Sequence, residues 1–316
     1  MKPLLPTSVA VALALAMGAN VRAAPDTTSY RTFAGESLTL RPWKGDRIVF
    51  LTQTTTLEPS VMAKIVATLD KAHAWYERMT GRRPKSVDLA LERAPIAEVE
   101  RTCGAGCAYL GRTGIEIMPS HLRVLVDGVR DREQYDQVLF YELGRNFWFL
   151  GDRLEIPDDG GRGTMTTGYA VLMRFLSMEA AGVRGGPFNG HEFAAFRREV
   201  ESLVDTYEQD ARATWRTTLA TGQGVANRMG LGATDLMASF LLRLRRDYGG
   251  DEFIRRFLAE CGSRPPVTTT ADAADNFVVA ASRAARVNLL DLFERRWRFP
   301  VSDAARRALP SPSPGR

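Results

Sequence analysis

In residues 138–150, Val-Leu-Phe-Tyr-Glu-Leu-Gly-Arg-Asn-Phe-Trp-Phe-Leu, three side chains with chemistry to offer sit in a largely apolar run: Tyr141, Glu142 and Arg145. The run reads as one helix, opened by Asp131 with Gln134 three residues on, the spacing of a capping box. It is apolar on every side, which is the pattern of a helix buried in a larger fold. Glu142 and Arg145 lie three apart on one helical face, and Tyr141 is one turn from Arg145. A charge in such a helix loses several kcal/mol of hydration unless it is paired or used. Two uses suit these groups. A guanidinium can hold a carboxylate-bearing ligand by a forked pair of hydrogen bonds. Alternatively, Glu142 as general base, Tyr141 as proton donor and Arg145 as oxyanion stabiliser would make a metal-independent hydrolase. The plain alternative is a structural ion pair inside a core helix.

Other residues invite weaker readings. The loop 151–163 is rich in Gly and Asp, and Asp158 and Asp159 are candidate cation contacts, although such residues ordinarily make a solvated turn. The three histidines, His73, His121 and His191, are not spaced for a helical metal site. No metal and no cofactor is expected. Cys103 and Cys107 flank three small residues, so a short disulfide loop can close between them. Zinc is disfavoured there because a second pair of ligands is missing. Cys261 is left as a buried thiol or as the true partner of one of the other two.

Several elements must carry these groups. Residues 1–23 have a basic start, an apolar run and a small-residue cleavage site, as in a secretory signal peptide cut after Ala23. The mature chain is then expected to be secreted or periplasmic. No other apolar run reaches the ~20 residues of a membrane span. Loss of Lys2 and Arg22 lowers the net charge from +5 to +3. The arginines are scattered, with no basic stripe interleaved with aromatics, which argues against a nucleic-acid partner.

From there the chain alternates strand and helix. A hairpin is expected over 30–33 and 37–40, and strands over 47–52, 87–91 and 114–118. A long helix runs from Pro59, a good first-turn residue, to Met79, with Trp75, Tyr76 and Met79 on its packing face and Gly81 ending it. Another apolar helix opens at 166–173, capped by Thr166 or Thr167. Helices follow over 191–209, 234–248, 251–261, 271–286 and 288–297. The expected fold is α+β: a mixed sheet with helices over 24–150 and a helical part over 151–308. The Pro/Ser-rich tail 309–316 is expected to be disordered.

With histidine at 141 and 145 the central run would read H-E-L-G-H-N, the zinc helix of zincins. It resembles a zincin active-site helix that keeps the glutamate and has lost both zinc ligands. Residues 167–170, Thr-Gly-Tyr-Ala, resemble the segment that supplies the third ligand in gluzincins, with Thr in place of Glu, and residues 291–300 resemble a segment near the C-terminus of secreted gluzincin-like proteins. The string around Glu142 is also similar to that of uncharacterised secreted bacterial proteins. This resemblance implies a degenerate metallopeptidase fold: a sheet, the active helix, the third-ligand helix and a helical half. It implies a peptide- or glycan-binding pseudopeptidase, with Glu142 and Tyr141 at the former catalytic positions and Arg145, Thr167 and Tyr169 as ligand-binding residues.

Overall fold

The computed structural model describes residues 27–310 apart from Asp88 and residues 158–160. The signal-peptide segment, the two candidate cation contacts Asp158 and Asp159, and residues 311–316 of the expected tail lie outside the described residues. The start of that tail is held: Leu309 packs on the core, and the Asn288 side chain donates to the Pro310 carbonyl at 3.2 Å.

Strands β1 (Thr28–Arg31), β2 (Ser37–Lys44) and β3 (Ile48–Thr52) form an antiparallel meander. Helix α1 (Pro59–Thr80) crosses over to β4 (Ala94–Glu98), which lies parallel to β3. Then come β5 (Gly106–Ala108) and β6 (Ile115–Ile117); β6 is parallel to β4, and β5 is antiparallel to β6 at the sheet edge. The sheet order is β1-β2-β3-β4-β6-β5. Every residue of β3 is buried because both faces of the sheet are covered. Ile48 and Phe50 enter the main core under α1, while Val49 and Leu51 join a smaller cluster with Tyr30, Leu40 and Ala97.

The chain continues through α2 (Pro119–Arg132), β7 (Gln134–Tyr135), α3 (Val138–Asn146), the single turn α4 (Gly151–Leu154) and α5 (Thr164–Ala181). A short β8 (Arg184–Gly185) pairs with β7. Helices α6 (Phe193–Gln209), α7 (Ala233–Asp247), α8 (Gly250–Gly262) and α9 (Thr270–Ala285) follow, then a π-helical turn at Leu292–Arg296 and α10 (Asp303–Ala308). The fold is α+β, with a mixed N-terminal sheet and a helical C-terminal half. Among the described residues no helix is long and apolar enough to cross a membrane.

Four expectations are corrected. The described residues of 87–91 form no strand: Leu91 and Glu92 adopt positive φ in a turn closed by the Ala90–Arg93 bridge, and the strand lies further on, at β4. Pro95 stands inside that strand. It is tolerated because the Ala94 N–H already faces β3, so the donor missing at Pro95 faces the other side, before the β6 pairing begins at Ile96. Asp131 lies in the last turn of α2, a helix the sequence reading left out, and does not open α3. The α3 helix starts at Val138, whose N–H donates to the Asp136 carboxylate at 2.7 Å, and ends at Asn146. Neither Thr166 nor Thr167 caps α5. Its N-cap is Gly163, and the Glu155 carboxylate accepts from the N–H groups of Met165 and Thr166, each at 3.1 Å, and from the Thr166 hydroxyl. Finally, the helix expected over 288–297 is present over 290–296, its last five residues as a π-helix, and begins where the Asn288 side chain accepts the Leu290 N–H.

Cys103 and Cys107 are joined in a disulfide, and Cys261, on α8, is a buried free thiol. After denaturation without reductant, alkylation should label one cysteine per chain, Cys261; labelling at Cys103 or Cys107 would contradict the pairing. The packing of α5 on α7 yields a second expectation. A Cβ on Gly168 would lie 2.7 Å from Met237 Cβ and 2.9 Å from the Thr234 carbonyl oxygen. Gly168→Ala should therefore cost about 1–3 kcal/mol in urea denaturation, as overpacking does; an unchanged midpoint would mean that the helices have room to separate.

Candidate functional site

Three anchors fix α3. Its start is held by Asp136, its middle by the Tyr76 hydroxyl, which donates to the Phe140 carbonyl at 2.7 Å, and its end by Asn146, whose side-chain amide donates to the carbonyls of Tyr109 and Gly114 at 3.0 and 3.1 Å. Leu139, Phe140 and Leu143 face the core. Val138, Tyr141 and Arg145, at positions i, i+3 and i+7, are only half-buried. The helix is thus not enclosed on every side, as its composition suggested: one face opens into a cleft of about 520 Å³. Thr167, Val171 and Arg174 of α5 line the same cleft, as do Thr234 and Asp235 of α7, the disulfide loop Cys103–Gly106 and the segments 188–189 and 229–231. Of the residues singled out from sequence, Tyr141, Glu142, Arg145 and Thr167 share this cleft, and Cys103 stands at its rim.

Tyr169 does not line the cleft. Two residues beyond Thr167 on a helix is about 200° of rotation, which turns it into the core. There its hydroxyl donates to the Phe147 carbonyl at 3.2 Å and its ring lies 5.0 Å from that of Trp148. Its expected ligand-binding role is withdrawn on that geometry.

Glu142 is almost fully buried, with Gly106 directly over it: a Cβ at residue 106 would lie 3.2 Å from Glu142 Cγ. Its partner Arg145 approaches only to 3.8 Å, Nε to Oε2, and Oε2 has no hydrogen-bond partner. Burial pushes the carboxyl pKa up from 4.5 to about 7, with Arg145 pulling weakly the other way. At neutral pH Glu142 is therefore poised between acid and base. Arg145 and Thr167 also border a second cavity of about 830 Å³ beside Trp148, Phe149 and Glu155, so these two side chains stand between two hollows.

Two cleft residues escaped the sequence reading. Arg174 is 3% exposed yet lines the cleft. An arginine inside the apolar run Tyr-Ala-Val-Leu-Met-Arg-Phe-Leu was as conspicuous as Glu142 and open to the same argument. Asp235, held partly by the Gly232 N–H at 3.1 Å, carries a pKa raised by burial. Its capping position in α7 gave no sign that it faces a cleft.

The zinc of a zincin has no suitable donors here. A phenol, a guanidinium and a neutral hydroxyl (Tyr141, Arg145 and Thr167) stand at the three ligand positions that the resemblance implies, and a fixed positive charge repels a dication. Among the described residues no three His, Cys, Asp or Glu side chains gather as a metal-binding group. The histidines are dispersed. His73 is buried against Phe147, its pKa lowered to about 4 chiefly by burial. His121 lies 3.5 Å from Asp136, and His191 sits in a turn with Phe188.

The fold has solved counterparts. The chain superposes on a mutant of a functionally unknown conserved protein from Bacillus anthracis str. Ames with a TM-score of 0.57 at 12% identity, over 86% of this chain and 52% of that one. It superposes on a metallopeptidase in complex with Tn antigen at 0.53 and 16%, over 86% and 52%. It also superposes on the M60 catalytic domain of Clostridium perfringens ZmpC in complex with the sialyl T antigen at 0.51 and 15%, over 87% and 50%. The chain thus spans about half the length of these proteins. No protein-family model and no curated protein matches it. The fold is zincin-like, of the kind found in metallopeptidase catalytic modules.

The raised Glu142 pKa makes stability depend on pH. The folded chain holds this proton more tightly than the unfolded chain, so stability falls as pH rises from 4.5 towards 7, and the full penalty stands above that. Glu142→Gln removes the titration. At pH 8 the variant should be more stable than the parent by up to about 3 kcal/mol, and at pH 4 the two should unfold together in urea. The same difference at both pH values would refute a buried, proton-retaining carboxyl.

Proposed function

We propose that the chain is a metallopeptidase-like protein whose cleft binds a glycan or peptide ligand with no zinc ion, Arg145 supplying the positive charge. One observation carries this: Arg145 lines an open cleft together with Tyr141, Glu142 and Thr167 and is held only loosely by Glu142, leaving its donors for a ligand. Two solved structures of the same fold hold the glycan antigens Tn and sialyl T, which supports a glycan or glycopeptide as the ligand. The signal-like segment 1–23 and the Cys103–Cys107 disulfide support export, where such ligands occur. The β5 edge strand beside the cleft leaves a backbone edge on which an extended peptide can pair.

A specific observation favours a second reading. Glu142 combines a pKa near 7 with an Oε2 that accepts no hydrogen bond, the properties of a general base, and Tyr141 and Arg145 stand on the same face. This makes a metal-independent hydrolase.

Calorimetric titration of chelator-treated protein with a Tn-bearing glycopeptide tests both. The parent should bind. Arg145→Met should keep its stability within about 1 kcal/mol, because the Arg145 contact with Glu142 is long and the Arg145 side chain opens to the cleft, and lose binding. If it is instead destabilised by about 3–5 kcal/mol, and Arg145→Met with Glu142→Leu recovers that loss, the pair is structural and the cleft proposal fails. The hydrolase requires the parent to turn over substrate and Glu142→Gln to bind without turnover.

A further inference from the structure

Arg174 is a buried charge without a partner acid among the described residues. Its side chain is 3% exposed, its Nε has no hydrogen-bond partner, and among the described residues its guanidinium makes no ion pair. Rings surround it: its Cζ lies 4.7 Å from the Phe188 centroid, 4.8 Å from Phe196 and 5.1 Å from Phe175. Aromatic faces steady a cation but accept no hydrogen bond in its plane, so its five N–H donors are left to seek acceptors elsewhere. Asp235 and Asp136 act on it only through space. The Asp235 carboxylate accepts the Gly232 N–H, and that of Asp136 accepts the Val138 N–H and lies near His121. Arg174 lines the cleft, whose wall also includes Val171, Phe188 and Leu231. An anion brought into such apolar surroundings meets a charge that water screens little.

We propose that Arg174 forms an anionic subsite in the cleft, separate from Arg145, that receives a carboxylate group of the ligand. The proposal rests on the cleft being a binding site and deepens it by naming the ligand class: one that carries a carboxylate, as an acidic sugar or an acidic side chain does. The guanidinium is cationic at neutral pH, since burial lowers its pKa only to about 10. Its planar fork matches a carboxylate, and the flanking rings keep that plane fixed before the ligand arrives. The subsite discriminates by charge, because a neutral group in the same place leaves the buried donors unpaired.

Binding of N-acetylneuraminate and of its methyl ester, nearly equal in shape but differing by one charge, isolates the subsite. N-acetyl-aspartyl amide against its asparaginyl counterpart does the same for a peptide source. The parent should prefer one acid over its neutral partner by about tenfold or more, and the pair that shows the preference identifies the source. Arg174→Met, checked for folding by its melting curve, should bind acid and neutral partner alike. Arg174→Lys keeps the charge without the fork and should retain part of the preference, which covers the case in which Arg174→Met does not fold. No acid preference in the parent, or an undiminished preference in a folded Arg174→Met, overturns the proposal. If the parent shows no acid preference but still binds the neutral Tn glycopeptide, the cleft stands as a binding site and only the anionic subsite fails. If it binds none of the probes, both fail.

Discussion

The close approach of α5 to α3 on one side and to α7 on the other is the constraint on which the site depends. Gly144 meets the α5 backbone at Ala170, where a Cβ would lie 3.2 Å from Ala170 Cα, and Gly168 meets α7 at Met237. With glycine at both crossings the three helices draw together, and the polar faces of all three border one cleft. Larger residues at either crossing would push the helices apart and open the cleft to bulk water, where its charges would be screened.

Within that arrangement the charges are unevenly matched. Glu142 and Arg145 are partners by sequence spacing, yet their contact is long and one carboxylate oxygen is left without a donor. Arg174 has ring faces in place of an acid. Two incompletely paired guanidinium groups share the cleft with the carboxyls of Glu142 and Asp235, whose pKa values burial pushes up. Zincin chemistry also depends on a fixed positive charge beside a glutamate. In the proposed binding reading arginine supplies the charge, and a guanidinium binds anions by directional hydrogen bonds where a metal ion would polarise water or a carbonyl.

The cleft wall also explains the disulfide. The Cys103–Cys107 loop leads into β5, whose Gly106 lies directly over Glu142. A short covalent loop at a sheet edge restrains the strand that shields the carboxyl. The dehydration that raises the Glu142 pKa is thus partly the work of residues far from α3 in sequence.

Much of the local structure was legible in the residues alone. Pro59 and Gly81 mark the ends of α1, and the apolar run over Ile48–Thr52 and the breaks between the later helices set most elements within a few positions. The spacing of Glu142 and Arg145 marked a candidate site or a core ion pair, because a charge in an apolar helix needs a reason that composition can already demand. Where local signals competed, they misled: Asp131 looked like a helix start although it lies in the last turn of α2, and the alternation over 87–91 looked like a strand although the strand is β4. What only the tertiary structure decided is which face of each helix is open. Thr167 and Arg174 turn to the cleft while Tyr169 turns to the core, and Asp235 arrives from a helix more than sixty residues away in the chain. Sequence spacing determines which side chains share a helical face, since that follows from 3.6 residues per turn. Whether that face meets core, solvent or another charge depends on packing between distant segments.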